Sequence, residues 1–201
     1  MDADGEDRPE ELNDFYKKTL ENDKMTITGN RFKRSEGIVF RVLYEVHKIL
    51  TLIFTGKLIK FGNFTCLPKD HVEQLIQKPY LWNSYSSSVM RAIKDRVSIG
   101  SVRGLRYVLP SKMNFTALIF HSLAIISVFK NIVIARSIIF FIIYIFLIFN
   151  NFSLFTFLPA ILLLFFVFTI LRISSRSNIN GLNSSLDNID SIDILQGSNN
   201  R

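Results

Sequence analysis

Residues 137–171 read SIIFFIIYIFLIFNNFSLFTFLPAILLLFFVFTIL, without one charged side chain. A helix needs about 20 apolar residues to cross the hydrocarbon core of a bilayer, so this stretch overshoots one straight span and barely supplies two. The Asn150 and Asn151 pair near its middle is where such a stretch can turn back on itself. The expected fold is mainly α: a multi-pass membrane protein with a C-terminal helical hairpin and a small basic, partly amphipathic-helical N-terminal region.

Charge is segregated along the chain. Residues 1–23 carry nine acidic and three basic side chains, 24–112 carry five and 16, 113–176 carry none and four, and the remainder three and one. This divides the sequence into an acidic head (1–30), a basic cytosolic region (31–112), a membrane block (113–172) and a polar tail (173–201), with head and tail expected to be disordered apart from one short helix around 10–20. The basic region suits an anionic partner, and phospholipid headgroups, RNA and an acidic capsid protein all qualify. One cysteine, Cys66, excludes an intrachain disulfide. The start, MDADGEDRPEELNDFYKK, is acidic and lacks the apolar core of a secretory signal, so membrane targeting is expected from the internal apolar segments.

Within the basic region, Val39, Val42, Leu43, Val46, Ile49, Leu50 and Ile53 follow helical spacing while Arg41, Glu45 and Lys48 occupy another face. An amphipathic helix over 38–55 follows, ending near Gly56. It suits either the headgroup plane, anchored by Lys57 and Lys60, or a small packed fold. A short helix is expected near 70–77, and another around Val89, Ile93 and Val97, spaced by four. Tyr80, Trp82 and Tyr85 fit a membrane interface or a core equally well. Arg91, Lys94, Arg96, Arg103, Arg106 and Lys112 are the candidate binding residues for an anionic partner.

The membrane block has three apolar pieces: 115–129, too short for a comfortable span and read as short or re-entrant, then the hairpin arms 132–149 and 152–171. Lys and Arg near spans remain cytosolic as a rule. A hairpin places Lys130, Arg136, Arg172 and Arg176 on one side together with the basic region, whereas three full spans would divide them. Both termini are therefore expected in the cytosol, at the endoplasmic reticulum. Arg136, near a helix end, is expected to snorkel to the headgroups. Pro159 removes a backbone donor inside the last piece, with Ser153 and Thr156 close enough to serve the freed groups.

The inventory for catalysis is thin. His47, His71 and His121 share no spacing, and Cys66 with His71 falls short of a closed zinc site. Nucleotide-binding glycine loops, zinc-protease motifs and nucleophile elbows are missing from the sequence. The expectation is a protein without catalytic residues, metal or cofactor. Four glycosylation sequons occur, at Asn63, Asn114, Asn151 and Asn183; in the hairpin topology only Asn151 faces the lumen, close to the membrane, so the protein is expected to be unglycosylated and Asn63 to serve as a topology reporter.

The basic run 91–112 leading into the apolar block 115–171 resembles the layout of the small virion membrane proteins of insect negeviruses and plant cileviruses. That resemblance implies a structural or matrix protein that associates with endoplasmic-reticulum membrane and with itself. The paired arms around Asn150 and Asn151 are similar to those of reticulon-type hairpin proteins, which implies membrane shaping; one hairpin is present here where that family has two. An accessory subunit of a membrane complex is the third expectation.

Overall fold

A three-stranded mixed sheet is built around residues that carry no helical periodicity. The computed structural model describes residues 1–2, 4–33, 38–102, 104, 107, 114–176, 180 and 184. The described elements are α1 (Leu12–Glu21), β1 (Thr26–Lys33), α2 (Ile38–Thr55), β2 (Phe61–Cys66), α3 (Lys69–Ile76), α4 (Tyr85–Ala92), β3 (Arg96–Val102), α5 (Phe115–Ser127), α6 (Lys130–Leu147) and α7 (Leu154–Ser174). The molecule is mainly helical.

β1 is the central strand, antiparallel to β2 and parallel to β3, with Ile27 opposite both Cys66 and Val97. Successive strand side chains point to opposite faces, so Phe61 and Phe64, three apart on β2, bury on different sides. On one face Phe64 stacks on Phe15 of α1 with ring centroids 4.1 Å apart, over Ile27. Gly29 makes room for that stack: a Cβ there would lie 3.1 Å from the tip of the Phe15 ring. On the other face Phe61 joins Leu75 of α3 and Val89 and Ile93 at the end of α4. The buried Thr26 and Thr28 hydroxyls on this side pair with His71 Nδ1 at 2.8 Å and Ser98 Oγ at 2.9 Å.

Two features of this small domain differ from the sequence reading. The head does not stay unstructured: β1 uses its last residues, the Gly104 N–H donates to the Glu6 carbonyl at 2.8 Å, and the Tyr107 N–H to Asp4 at 2.9 Å. The backbone of Asp4 and Glu6 is thereby tied to Gly104 and Tyr107. The spacing of Val89, Ile93 and Val97 does not continue one helix either. α4 stops at Ala92, and Val97 lies in β3, where a β-branched residue suits a strand pairing with β1.

The other three helices form the second half. α5 turns into α6 through Val128 and Phe129 alone, and α6 returns into α7 through residues 148–153, which include Asn150 and Asn151. α6 and α7 are antiparallel neighbours, since Tyr144 meets Thr156 near the turn while Val133 meets Ile170 at the far end. α6 starts at Lys130, slightly earlier than the expected arm, so Arg136 lies near the start of an 18-residue helix.

Ser153 accepts the Thr156 N–H at 3.2 Å and the Ser153 N–H reaches Thr156 Oγ1 at 2.8 Å, a reciprocal cap that starts α7. These two residues are therefore occupied at the helix start. It is Tyr144 of α6 that bonds the turn containing Pro159, donating to the Thr156 carbonyl at 2.7 Å.

The two halves meet in one apolar cluster. Ile126, Val128, Phe129, Val133 and Ile170 are buried there, covered by Phe54 of α2 and by Tyr80 and Met90 of the small domain.

Candidate functional site

α6 and α7 are both long and apolar enough to cross a membrane, and little of either is buried inside the molecule. Phe146, Leu154 and Phe155 are 80%, 82% and 85% exposed. Side chains of this size on a water-facing surface forgo about 1.5–3 kcal/mol each of burial, so the pattern marks a surface made for an apolar environment.

α2 extends that surface. Val42, Val46, Ile49 and Ile53, one stripe at helical spacing, all face outward, while Thr51 and Thr55 are buried against the rest of the protein. The helix therefore turns an apolar stripe outward while Phe54, Thr51 and Thr55 face the rest of the protein. The two inward hydroxyls are satisfied along the helix itself, Thr51 donating to the His47 carbonyl at 2.8 Å and Thr55 to Thr51 at 2.6 Å.

Three arginines end three helices. The last carbonyls of a helix have no intrahelical donor and carry the negative end of its dipole, so a guanidinium answers both needs. Arg136 Nη1 donates to the α2 carbonyls of Leu52 at 3.3 Å and Ile53 at 2.7 Å. Arg96 Nη1 donates to the α4 carbonyls of Val89 at 3.4 Å and Met90 at 3.3 Å. Arg91 Nη1 donates to the Val128 carbonyl, where α5 ends, with its guanidinium 4.2 Å from the centroid of the Tyr80 ring.

Arg136 thus has a protein partner in place of the headgroups expected for it: the end of α2 packs close enough to offer its carbonyls first. Gly56, at φ +69°, closes α2 beside this contact, and a Cβ on it would lie 2.6 Å from Arg136 Nη2.

The candidate residues for an anionic partner therefore separate. Arg91 and Arg96 hold helix ends. Lys94 is exposed, as are Lys57 and Lys60 after α2. Arg103, Arg106 and Lys112 lie outside the described residues. The orienting set is brought to one end of the hairpin, where α6 begins at Lys130 and α7 finishes at Arg172 and the adjoining Arg176.

α5 lies across that charged end. Thr116 near its start and Leu123 near its end both line a cleft of about 500 Å³ with Arg172, Ile173 and Arg176. An adjoining cleft of about 460 Å³ is lined by Trp82, Asn83, His121 and Arg176 among others. Arg176 sits 4.6 Å from the Phe120 ring centroid, within reach of the ring's negative face. The sequence held no signal for these clefts, because their walls come from α5, α7 and the Trp82 turn.

The other aromatics and the cysteine–histidine pair are packing residues. Tyr85 belongs to the small-domain core and bonds Thr65, and burial pushes its hydroxyl above the ordinary tyrosine range. Cys66 accepts a weak bond from the Thr19 hydroxyl, while His71 serves Thr26. Among the described residues no three His, Cys, Asp or Glu side chains are grouped to hold a metal ion.

Comparison with protein-family models, curated proteins and solved structures finds no match for the chain. What defines the class is the pair of helices long and apolar enough to span a membrane, joined to a small mixed α/β head.

Proposed function

We propose that the protein is a non-enzymatic structural component of a membrane, anchored by the α6–α7 hairpin and laying its small basic domain on the cytosolic face. The observation that carries this reading is the exposed apolar surface of α6 and α7, bounded at one end by Lys130, Arg172 and Arg176 and widened by the outward stripe of α2. α2 and α5 lie in the headgroup region, and the hairpin crosses or enters the hydrocarbon core. Both termini stay cytosolic, because that keeps these cations with the basic region.

The layout resemblance to negevirus and cilevirus virion membrane proteins extends the proposal to self-association on endoplasmic-reticulum membrane and recruitment of RNA or capsid. Recruitment belongs to Lys57, Lys60, Lys94, Arg103, Arg106 and Lys112, since Arg91 and Arg96 already bond backbone carbonyls. Replacing these six by Gln is expected to weaken RNA or capsid binding and flatten its salt dependence while leaving membrane insertion intact. Undiminished binding would remove the recruitment claim.

The anchoring and orientation are tested in microsomes through Asn63, an exposed sequon whose side chain donates to Asp2 at 3.1 Å. An unmodified, protease-accessible Asn63 on carbonate-resistant protein supports the proposal. A glycosylated and protected Asn63 turns the small domain into a luminal ectodomain. A second reading, membrane shaping, draws support from α5 crossing one end of the hairpin, which would crowd a single leaflet. Protein that leaves liposomes spherical counts against it.

A further inference from the structure

We propose that the adjoining clefts between α5 and the end of α7 bind one anionic phospholipid, its phosphate on Arg172 and Arg176 and the start of an acyl chain along Ile119 and Leu123. The proposal rests on reading α6–α7 as the membrane-inserted hairpin. Arg172 in the last turn of α7 and Arg176 just beyond the helix both line the larger cleft. No carboxylate lines either cleft among the described residues, and residues 113–176 contain no Asp or Glu at all. Two cations at a membrane surface, with no carboxylate beside them among the described residues, suit an external anion.

The walls specify what kind of anion. Ile119, Leu123 and Ile173 form an apolar side, which a free phosphate would leave uncovered and an acyl chain would cover. Phe120, which also lines both clefts, lies 4.6 Å from the Arg176 guanidinium, ring centroid to Cζ. Thr116 lines both clefts, adding a neutral hydroxyl beside the two arginines. The clefts also lie at the charged end of the hairpin, which is the depth that headgroups occupy in the proposed orientation.

Trp82 is the single tryptophan and lines the smaller cleft, so it reports directly on occupancy. Full-length protein is reconstituted in phosphatidylcholine vesicles containing equal fractions of either dibrominated phosphatidic acid or dibrominated phosphatidylcholine, and quenching of Trp82 is compared. Stronger quenching by the anionic brominated lipid is expected. Arg172→Gln and Arg176→Gln should each lower that preference roughly fivefold, the weight of one basic side chain at an anionic surface. Arg176→Lys should retain most of it. Arg172→Gln leaves the Phe120 contact in place, and circular dichroism of each variant confirms that the helices persist.

Equal quenching by the two lipids overturns the proposal. Glycerol 3-phosphate that relieves quenching by phosphatidic acid at equal concentration identifies a soluble phosphate ligand and overturns the lipid assignment. Flotation and alkaline carbonate washing separate this from the underlying reading. Protein that leaves the vesicles refutes the hairpin anchor, whereas retained protein without lipid preference refutes the cleft alone.

Discussion

Gly56 and Arg136 form a joint in which each explains the other. The left-handed backbone of Gly56 ends α2, and the absent side chain leaves room for a guanidinium to reach the Leu52 and Ile53 carbonyls. Gly56→Ala should cost about 1–2 kcal/mol for the backbone conformation and also push Arg136 away. Arg136→Gln should cost about 1–3 kcal/mol for the lost charged hydrogen bonds to the Leu52 and Ile53 carbonyls. Because both act on one contact, the double variant should lose less than the sum, measured by thermal melting in detergent. Strict additivity would show that the two residues do not share a joint. Tyr85 makes a second residue-scale prediction. Its hydroxyl pKa is raised in the folded protein, chiefly by burial, so the neutral form is the one that the fold favours. Stability from this group is fully present below the unfolded value near 10 and is lost as pH rises from there through the folded value. Tyr85→Phe should therefore remove part of the alkaline destabilisation, read from melting temperatures on both sides of pH 10.

At the scale of elements, α2 shows how far periodicity carries an argument. Its spacing located a helix over Ile38–Thr55, but a stripe of Val42, Val46, Ile49 and Ile53 has the same period whether it meets a core or a lipid. Direction became readable only from Thr51 and Thr55 facing in. Replacing Val46 and Ile49 by Glu should leave the fold intact and weaken vesicle association of the full chain, since each side chain withdrawn from an apolar phase forgoes about 1.5–3 kcal/mol. A variant that unfolds instead would place the stripe in a protein core. The hairpin was legible for a simple reason: charge-free length and an Asn pair are local features. β1 was not, because Thr26, Ile27 and Thr28 form a short run beside basic residues, and what makes it a strand is pairing with Cys66 and Val97 far along the chain. The arginine caps were hidden likewise. Composition shows where Arg91, Arg96 and Arg136 are, while the carbonyls that Arg91 and Arg136 bond belong to other elements, 37 and 83 or 84 residues away. The clefts needed three separate segments, so only the charges of Arg172 and Arg176 were visible beforehand.

For the whole molecule, the decisive feature is the seam between the small domain and the helical block. Arg91 reaches from α4 to the Val128 carbonyl at the corner between α5 and α6, and Tyr80 and Met90 cover the cluster of Ile126, Phe129, Val133 and Ile170. A seam of buried apolar side chains with a charged hydrogen bond across it couples the two halves, so the small domain and the helical block behave as one body rather than as beads on a linker. Trp82 sits on the small-domain side, whereas helix is present in both halves, so its fluorescence follows one half and circular dichroism the whole. Thermal unfolding in detergent followed by Trp82 fluorescence and by far-ultraviolet circular dichroism should give coincident transitions. Met90→Ala should lower both together, by about 2–3 kcal/mol for a partly buried methionine truncated to Ala. Arg91→Ala should separate them, because it removes the bond across the seam and leaves the Val128 carbonyl without its charged donor. Transitions already separate in the unaltered protein would mean that the halves fold independently, and a rigid placement of the basic domain over the membrane surface would no longer follow.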